Sequence, residues 1–225
     1  MRNIILIIIF VLSSFKLFEN TNYNFSDELD PKKPSQYYID EALKYFDSID
    51  SFAPKKSKPI YSSHVLRWEW YPWLYLTGHK RWMMSLDYFL KWYPTKVIDR
   101  DCRFFKSQPF ARCRVTFHYL RPDKLYKIYE EFTFNDAGEI TFVEAWSDEL
   151  DLLPMEPQDY WAEGDNVRRM STKIPGLGTE SGRYNKELIK ELAKKDFEVA
   201  FFLKRLKNPL FYWLKEAVRF LKSSP

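Results

Sequence analysis

The stretch LYKIYEEFTFNDAGEITFVEAWSD, residues 125–148, decides the fold. It holds two runs of alternating side chains separated by Asn135-Asp136-Ala137-Gly138. Asn, Asp and Gly tolerate the backbone angles of a tight turn, so the stretch predicts a β-hairpin. On the first strand Tyr126, Ile128, Glu130, Phe132 and Phe134 share one face; on the second Ile140, Phe142, Glu144 and Trp146 do. Placing Phe134 opposite Ile140 sets Phe132 against Phe142, Glu130 against Glu144, and Ile128 against Trp146. Two carboxylates then face each other on an otherwise apolar surface. Like charges so placed repel, which predicts a shared proton or a nearby cation.

Upstream, residues 97–105 and 112–120 read as two further strands around Ser107-Gln108-Pro109. Centring that turn on Ser107-Gln108 sets Cys102 opposite Cys113. A disulfide and two buried free thiols both fit. The next turn, residues 121–124, brings Tyr119 against Tyr126 and Val115 against Glu130. The strands then share one apolar face and one mixed face, and the mixed one, with His118, reads as outer. An apolar sheet face needs helices over it. Two N-terminal regions supply them. Ser35 is placed to cap a helix reaching about Ile49, with Tyr38, Ala42, Leu43, Tyr45 and Phe46 inward. Residues 82–92 fit a second amphipathic helix, with Trp82, Leu86, Phe89, Leu90 and Tyr93 inward. Between them, residues 51–63 read as a Pro- and Lys-rich loop. The aromatic run around Trp68 and Trp70 reads as a core wedge or as a pocket wall with Arg67 or Glu69 as its polar element.

The ends differ from this body. Arg2, an unbroken apolar run from Ile4 to Leu12, and Ser13-Ser14 form a signal-like start over residues 1–19. The run is shorter than the ~20 apolar residues of an ordinary span. A cleaved signal, an uncleaved anchor and a buried helix are all compatible with it; the first two place the body outside the cytoplasm, in the periplasm or medium, or tethered to a membrane. Residues 20–34 read as a linker. After a body spanning residues 35–150, residues 151–184 read as a long loop of the kind that often forms a lid or strap. PGLGTESG, residues 175–182, has the glycines of a phosphate loop but lacks its Gly-Lys-Ser/Thr ending. Residues 185–225 read as an amphipathic helical tail, broken at Asn208-Pro209. In its last helix Leu210, Trp213, Leu214, Ala217, Val218 and Leu221 form one stripe, with Lys215, Glu216, Arg219 and Lys222 off it. That stripe fits docking on the body or lying in an anionic lipid interface.

Of 225 residues 19% are aromatic, which favours a broad apolar core or an aromatic-lined cavity. Residues 183–222 carry eleven Lys/Arg against five Asp/Glu, a surplus of six. Since the chain totals +4, the remainder carries −2. With no basic stripe through the body, nucleic acid is not an expected partner. His64, His79 and His118 show no metal-ligand spacing, so neither a metal nor a cofactor is expected.

Helices first, then an antiparallel sheet closing on EEFTFNDAGEITFVEAWSD, resembles the SnoaL-like branch of the nuclear-transport-factor-two-like superfamily. The resemblance covers residues 35–148 and is strongest over residues 129–148. It implies an α+β cone in which a curved antiparallel sheet, packed on N-terminal helices, wraps a hydrophobic pocket; here a C-terminal amphipathic extension follows. It implies a function among isomerases, polyketide cyclases, dehydratases, epoxide hydrolases and non-catalytic binding or assembly domains. It also implies dimers formed through the outer sheet face. The catalytic Asp-His pair of the enzymatic members has no assignable counterpart in this sequence.

Three functions follow as expectations. One is a binding domain that holds a small apolar ligand among Arg67, Trp68, Trp70, Tyr119, Tyr126, Phe132, Phe142 and Trp146. The second is a proton-transfer enzyme with Glu130 and Glu144 as base and partner, and Arg67, Tyr126 or Tyr119 at an oxyanion. The third is a scaffold at a membrane surface, held by the C-terminal helices. A carboxylate paired with a buried Arg, such as Arg112 or Arg103, is the structural alternative to the second.

Overall fold

The first helix, α1 (Ser35–Ile49), forms where the periodicity predicts it. Tyr38, Ala42, Tyr45, Phe46 and Ile49 recur at helical spacing and are buried. Pro34, not Ser35, occupies the N-cap and offers no side-chain cap; its carbonyl accepts the Tyr37 N–H at 2.9 Å. The computed structural model describes residues 30–54, 58–70, 78–79, 95–120, 123–147, 170–179, 185–212, 214–215 and 218. The signal-like start, most of the linker and the expected helix over residues 82–92 lie outside them.

The strands are β1 (Tyr61–Glu69), β2 (Gly78–His79), β3 (Thr95–Phe104), β4 (Ala111–Tyr119), β5 (Lys124–Phe134) and β6 (Ile140–Ser147). They form one open sheet in the order β2-β1-β6-β5-β4-β3. Neighbours pair antiparallel except β1 and β6, which are parallel, so the sheet is mixed rather than antiparallel. Strand β1 corrects the loop reading over residues 61–63, while Trp68 and Trp70 are buried in the core as the wedge reading expected. Val65, Arg67 and Glu69 point to one face, and Leu66, Trp68 and Trp70 to the other. Leu66, Trp68 and Trp70 alternate with Arg67 and Glu69 at period two, yet both faces are buried, the charged one included.

Helices lie on both sides of the sheet, on the second side over β1, β5 and β6. Helix α1 packs on one, where Tyr45 lies edge-to-face against Phe132 at 5.1 Å and Tyr38 against Phe134 at 4.8 Å. The other is covered by α2 (Met170–Lys173), α3 (Lys186–Ala193) and α4 (Phe197–Lys207). There Ile189, Val199, Phe202 and Leu206 join Leu66, Trp68, Phe142 and Trp146 in a second core. The mixed face is therefore interior over β1 and β6, and α3 and α4 belong to the body rather than to an appended tail. The expected single helix over residues 186–206 breaks because Asp196 starts a new one, its carboxylate accepting the Glu198 and Val199 N–H groups.

Two registers decide the site. In the central hairpin Gly138 takes φ +84°, Asn135 Oδ1 accepts the Glu139 N–H, and Phe134 pairs with Ile140 as expected. Thr141 is then bulged out: its buried hydroxyl donates to the Gly178 carbonyl, with the Thr133 carbonyl also in range, and Thr133 pairs with Phe142. A bulge shifts everything beyond it by one residue, and one residue exchanges the faces. Glu130 consequently pairs with Ala145, and Glu144 with Glu131. Between β4 and β5 the turn is tighter than expected, so Tyr119 pairs with Lys124, Val115 with Ile128, and Cys113 with Glu130. This shift is by two, which preserves the faces. Between β3 and β4 the predicted pairing holds: Cys102 is opposite Cys113 and the two form a disulfide.

Candidate functional site

On the α1 side, three charged residues meet beneath a helix of apolar side chains. The Arg67 guanidinium donates to Glu69 Oε1 at 2.5 Å, lies 3.5 Å from Glu130 Oε1, and sits 5.5 Å from the Tyr45 ring. All three charged side chains are buried. The strand pairings explain the meeting. Glu69 pairs with Ala145, and Ala145 pairs with Glu130, so the two carboxylates flank a residue too small to separate them from Arg67. Charges out of water need partners of opposite sign, and losing one partner leaves the others uncompensated. Glu130 thus lies on a row that continues to Cys113 and the disulfide.

On the far side, Glu144 holds a strap. One carboxylate oxygen accepts the Trp70 Nε1–H at 2.7 Å and the Met170 N–H at 2.6 Å; the other is within reach of the Ser171 N–H at 3.4 Å and hydroxyl at 3.3 Å. The strap, residues 170–179, is pinned again at Gly178. That glycine takes φ +80°, and a Cβ there would lie 2.6 Å from the Phe142 Cβ. The superficially phosphate-loop-like glycine thus serves a close backbone approach. Lys173 completes the attachment, reaching Asp196 at 2.6 Å and Glu198 at 2.7 Å on α4. Burial pulls the Lys173 ammonium down, but its hydrogen bonds to the two carboxylates outweigh this and hold it above its ordinary range. The Lys173 hydrogen bond holds the Asp196 carboxyl below its own. Next to Glu144, Glu131 pairs with Arg112 at 2.9 Å, and the Arg112 guanidinium stacks 4.0 Å from the Phe105 ring.

The expected carboxylate pair is therefore not formed: Glu130 and Glu144 point to opposite faces. Glu130 has the buried Arg that its structural alternative requires, although the residue is Arg67 rather than Arg112 or Arg103. The expected ligand set divides as well. Arg67, Phe132, Tyr119 and Tyr126 lie on the α1 side, and Trp68, Trp70, Phe142 and Trp146 on the strap side. Phe132, Phe142, Trp146, Trp68 and Trp70 are buried, packed into the two cores. Tyr119 and Tyr126 are half-buried, their rings edge-to-face at 5.1 Å.

Sequence reasoning missed the joint placement of Glu69 with Glu130, the Arg112–Glu131 pair, and Thr141. The adjacent Glu130-Glu131 in one strand was the available signal, because neighbours in a strand point to opposite faces. Among the described residues no group of three or more His, Cys, Asp or Glu side chains is placed to hold a metal ion. No protein-family model, curated protein or solved structure matches the chain.

Proposed function

We propose that this chain is a non-enzymatic domain of the SnoaL-like type, exported or anchored at a membrane, that works by binding rather than by turnover. The observation that carries this reading is the separation of Glu130 and Glu144 by the sheet. Proton transfer by a carboxylate pair needs both groups at one substrate. Here Glu130 is held by Arg67, and Glu144 accepts hydrogen bonds from Trp70 and Met170 with Ser171 in reach. A helix ahead of a sheet that centres on the 125–148 hairpin supports the family resemblance. The packing of five of the eight expected ligand residues into the two cores supports a body that acts through its surface.

A second reading is favoured by one feature. The half-buried Tyr119–Tyr126 pair, on the α1 side, offers aromatic surface to a small apolar ligand. Native mass spectrometry of the protein purified from its own host's envelope separates the two. The proposed function predicts the mass of the polypeptide alone and nothing stoichiometric in the organic extract. A defined lipid or aromatic compound bound one-to-one, and lost on Tyr126→Ser, would replace it with the ligand-binding reading.

A further inference from the structure

In the C-terminal helical segment Leu214 and Val218, two described members of the apolar stripe, are exposed to solvent. After α4 the chain bends at Asn208 and is helical again over residues 209–212, and at 214, 215 and 218. Tyr212 is the docked residue: it is buried, and the buried Arg205 guanidinium lies 4.9 Å from its ring. On a helix of 3.6 residues per turn, residues two and six positions beyond Tyr212 fall on the opposite side. These are Leu214 and Val218, which are 43% and 49% exposed, and the neighbouring Phe211 is 63% exposed. The stripe singled out in the sequence thus has its described outer members in solvent rather than against the core. Phe197, at the start of α4, is 79% exposed and follows the exposed Lys194 and Lys195.

The charge around these side chains selects what covers them. Lys215 is exposed beside Phe211 and Leu214, and the sequence continues with Arg219 and Lys222 at helical spacing from it. Lys190, Lys204 and Lys207 are also exposed, and residues 183–222 carry the surplus of six cations while the remainder of the chain is slightly acidic. An apolar stripe edged on one side by cations is the pattern of a helix lying in the plane of an anionic lipid interface. A second copy of this chain would bring like-charged helices together, which opposes self-association through this face. The apolar run from Ile4 to Leu12, where it stays as an anchor, holds the body at a membrane.

We infer that the exposed face made by Phe211, Leu214 and Val218 docks on an anionic bilayer surface, with these side chains entering the interface and Lys215 meeting lipid phosphates. The inference does not depend on whether the sheet carries a ligand.

The test uses the full chain, and all three substituted positions are exposed, so the fold is retained. Sedimentation is measured with vesicles of phosphatidylcholine alone and of phosphatidylcholine mixed with phosphatidylglycerol. The native chain is expected to bind the mixed vesicles more tightly, with the preference falling as salt is added. Leu214→Asp with Val218→Asp is expected to weaken binding at least about tenfold, and Lys215→Glu to reduce the preference for anionic lipid. Equal binding by the native chain and the double variant would overturn the inference, because the N-terminal run alone would then account for it. Equal binding to both vesicle types, or a change from dimer to monomer without vesicle binding, would also overturn it.

Discussion

Glu144→Ala is expected to lower the stability of the fold by about 3–5 kcal/mol. The Glu144 carboxylate is buried and joins three parts of the chain: β6, Trp70 beyond the end of β1, and the first residues of α2. Removing it strands the Trp70 indole N–H and the Met170 N–H away from water, each worth about 1–3 kcal/mol when left without an acceptor. It also frees the strap that carries Gly178, and with it the contact that holds the Thr141 bulge. Urea unfolding measures the loss, and hydrogen exchange at Met170 and Ile174 localises it. Glu187→Ala, at an exposed position on α3, serves as a control and is expected to stay within about 0.5 kcal/mol of the native chain. If Glu144→Ala behaved like that control, the carboxylate would be free for another task.

Arg67→Met is expected to cost about 3–5 kcal/mol, although Met approximates the length of the lost side chain. The loss comes from what remains: Glu69 and Glu130, two buried carboxylates facing the same apolar helix, without the guanidinium. The diagnostic variant is therefore the double one. Arg67→Met with Glu130→Gln removes a negative charge together with the positive one, and is expected to regain part of the stability, Glu69 alone remaining without the guanidinium. The same urea measurement reads it. A double variant no more stable than Arg67→Met would show that Glu130 draws nothing from Arg67.

The parts of the fold that were legible had one buried face or a strong turn. Helix α1 showed because its outer face is polar. The 125–148 hairpin showed because Asn135 and Gly138 fix the turn, and the β3–β4 register followed from its own turn, down to Cys102 opposite Cys113. Strand β1 was missed although Leu66, Trp68 and Trp70 alternate with Arg67 and Glu69, because the density of aromatics around Trp68 and Trp70 reads as a wedge rather than a strand. Its parallel partner β6 is some seventy residues away, a distance over which no local pattern gives the pairing. The site was half legible. Its residue types were visible, including the need for a cation near a buried carboxylate. Its geometry was not, because a single bulge at Thr141, held by a glycine carbonyl from the strap, moves Glu144 to the other face from Glu130. A tertiary contact from residue 178 thus sets the register of a hairpin that local turn chemistry alone would have left in line.

The most direct test of the central claim is a double-mutant cycle on Glu130→Gln and Glu144→Gln, read as unfolding free energies. With the two side chains on opposite faces and engaging Arg67 on one side and Trp70 with Met170 on the other, the account predicts additivity within about 0.5 kcal/mol. A coupling energy above about 1 kcal/mol would place both carboxylates in one site, and would contradict the register, the non-enzymatic reading and the absence of a carboxylate pair together.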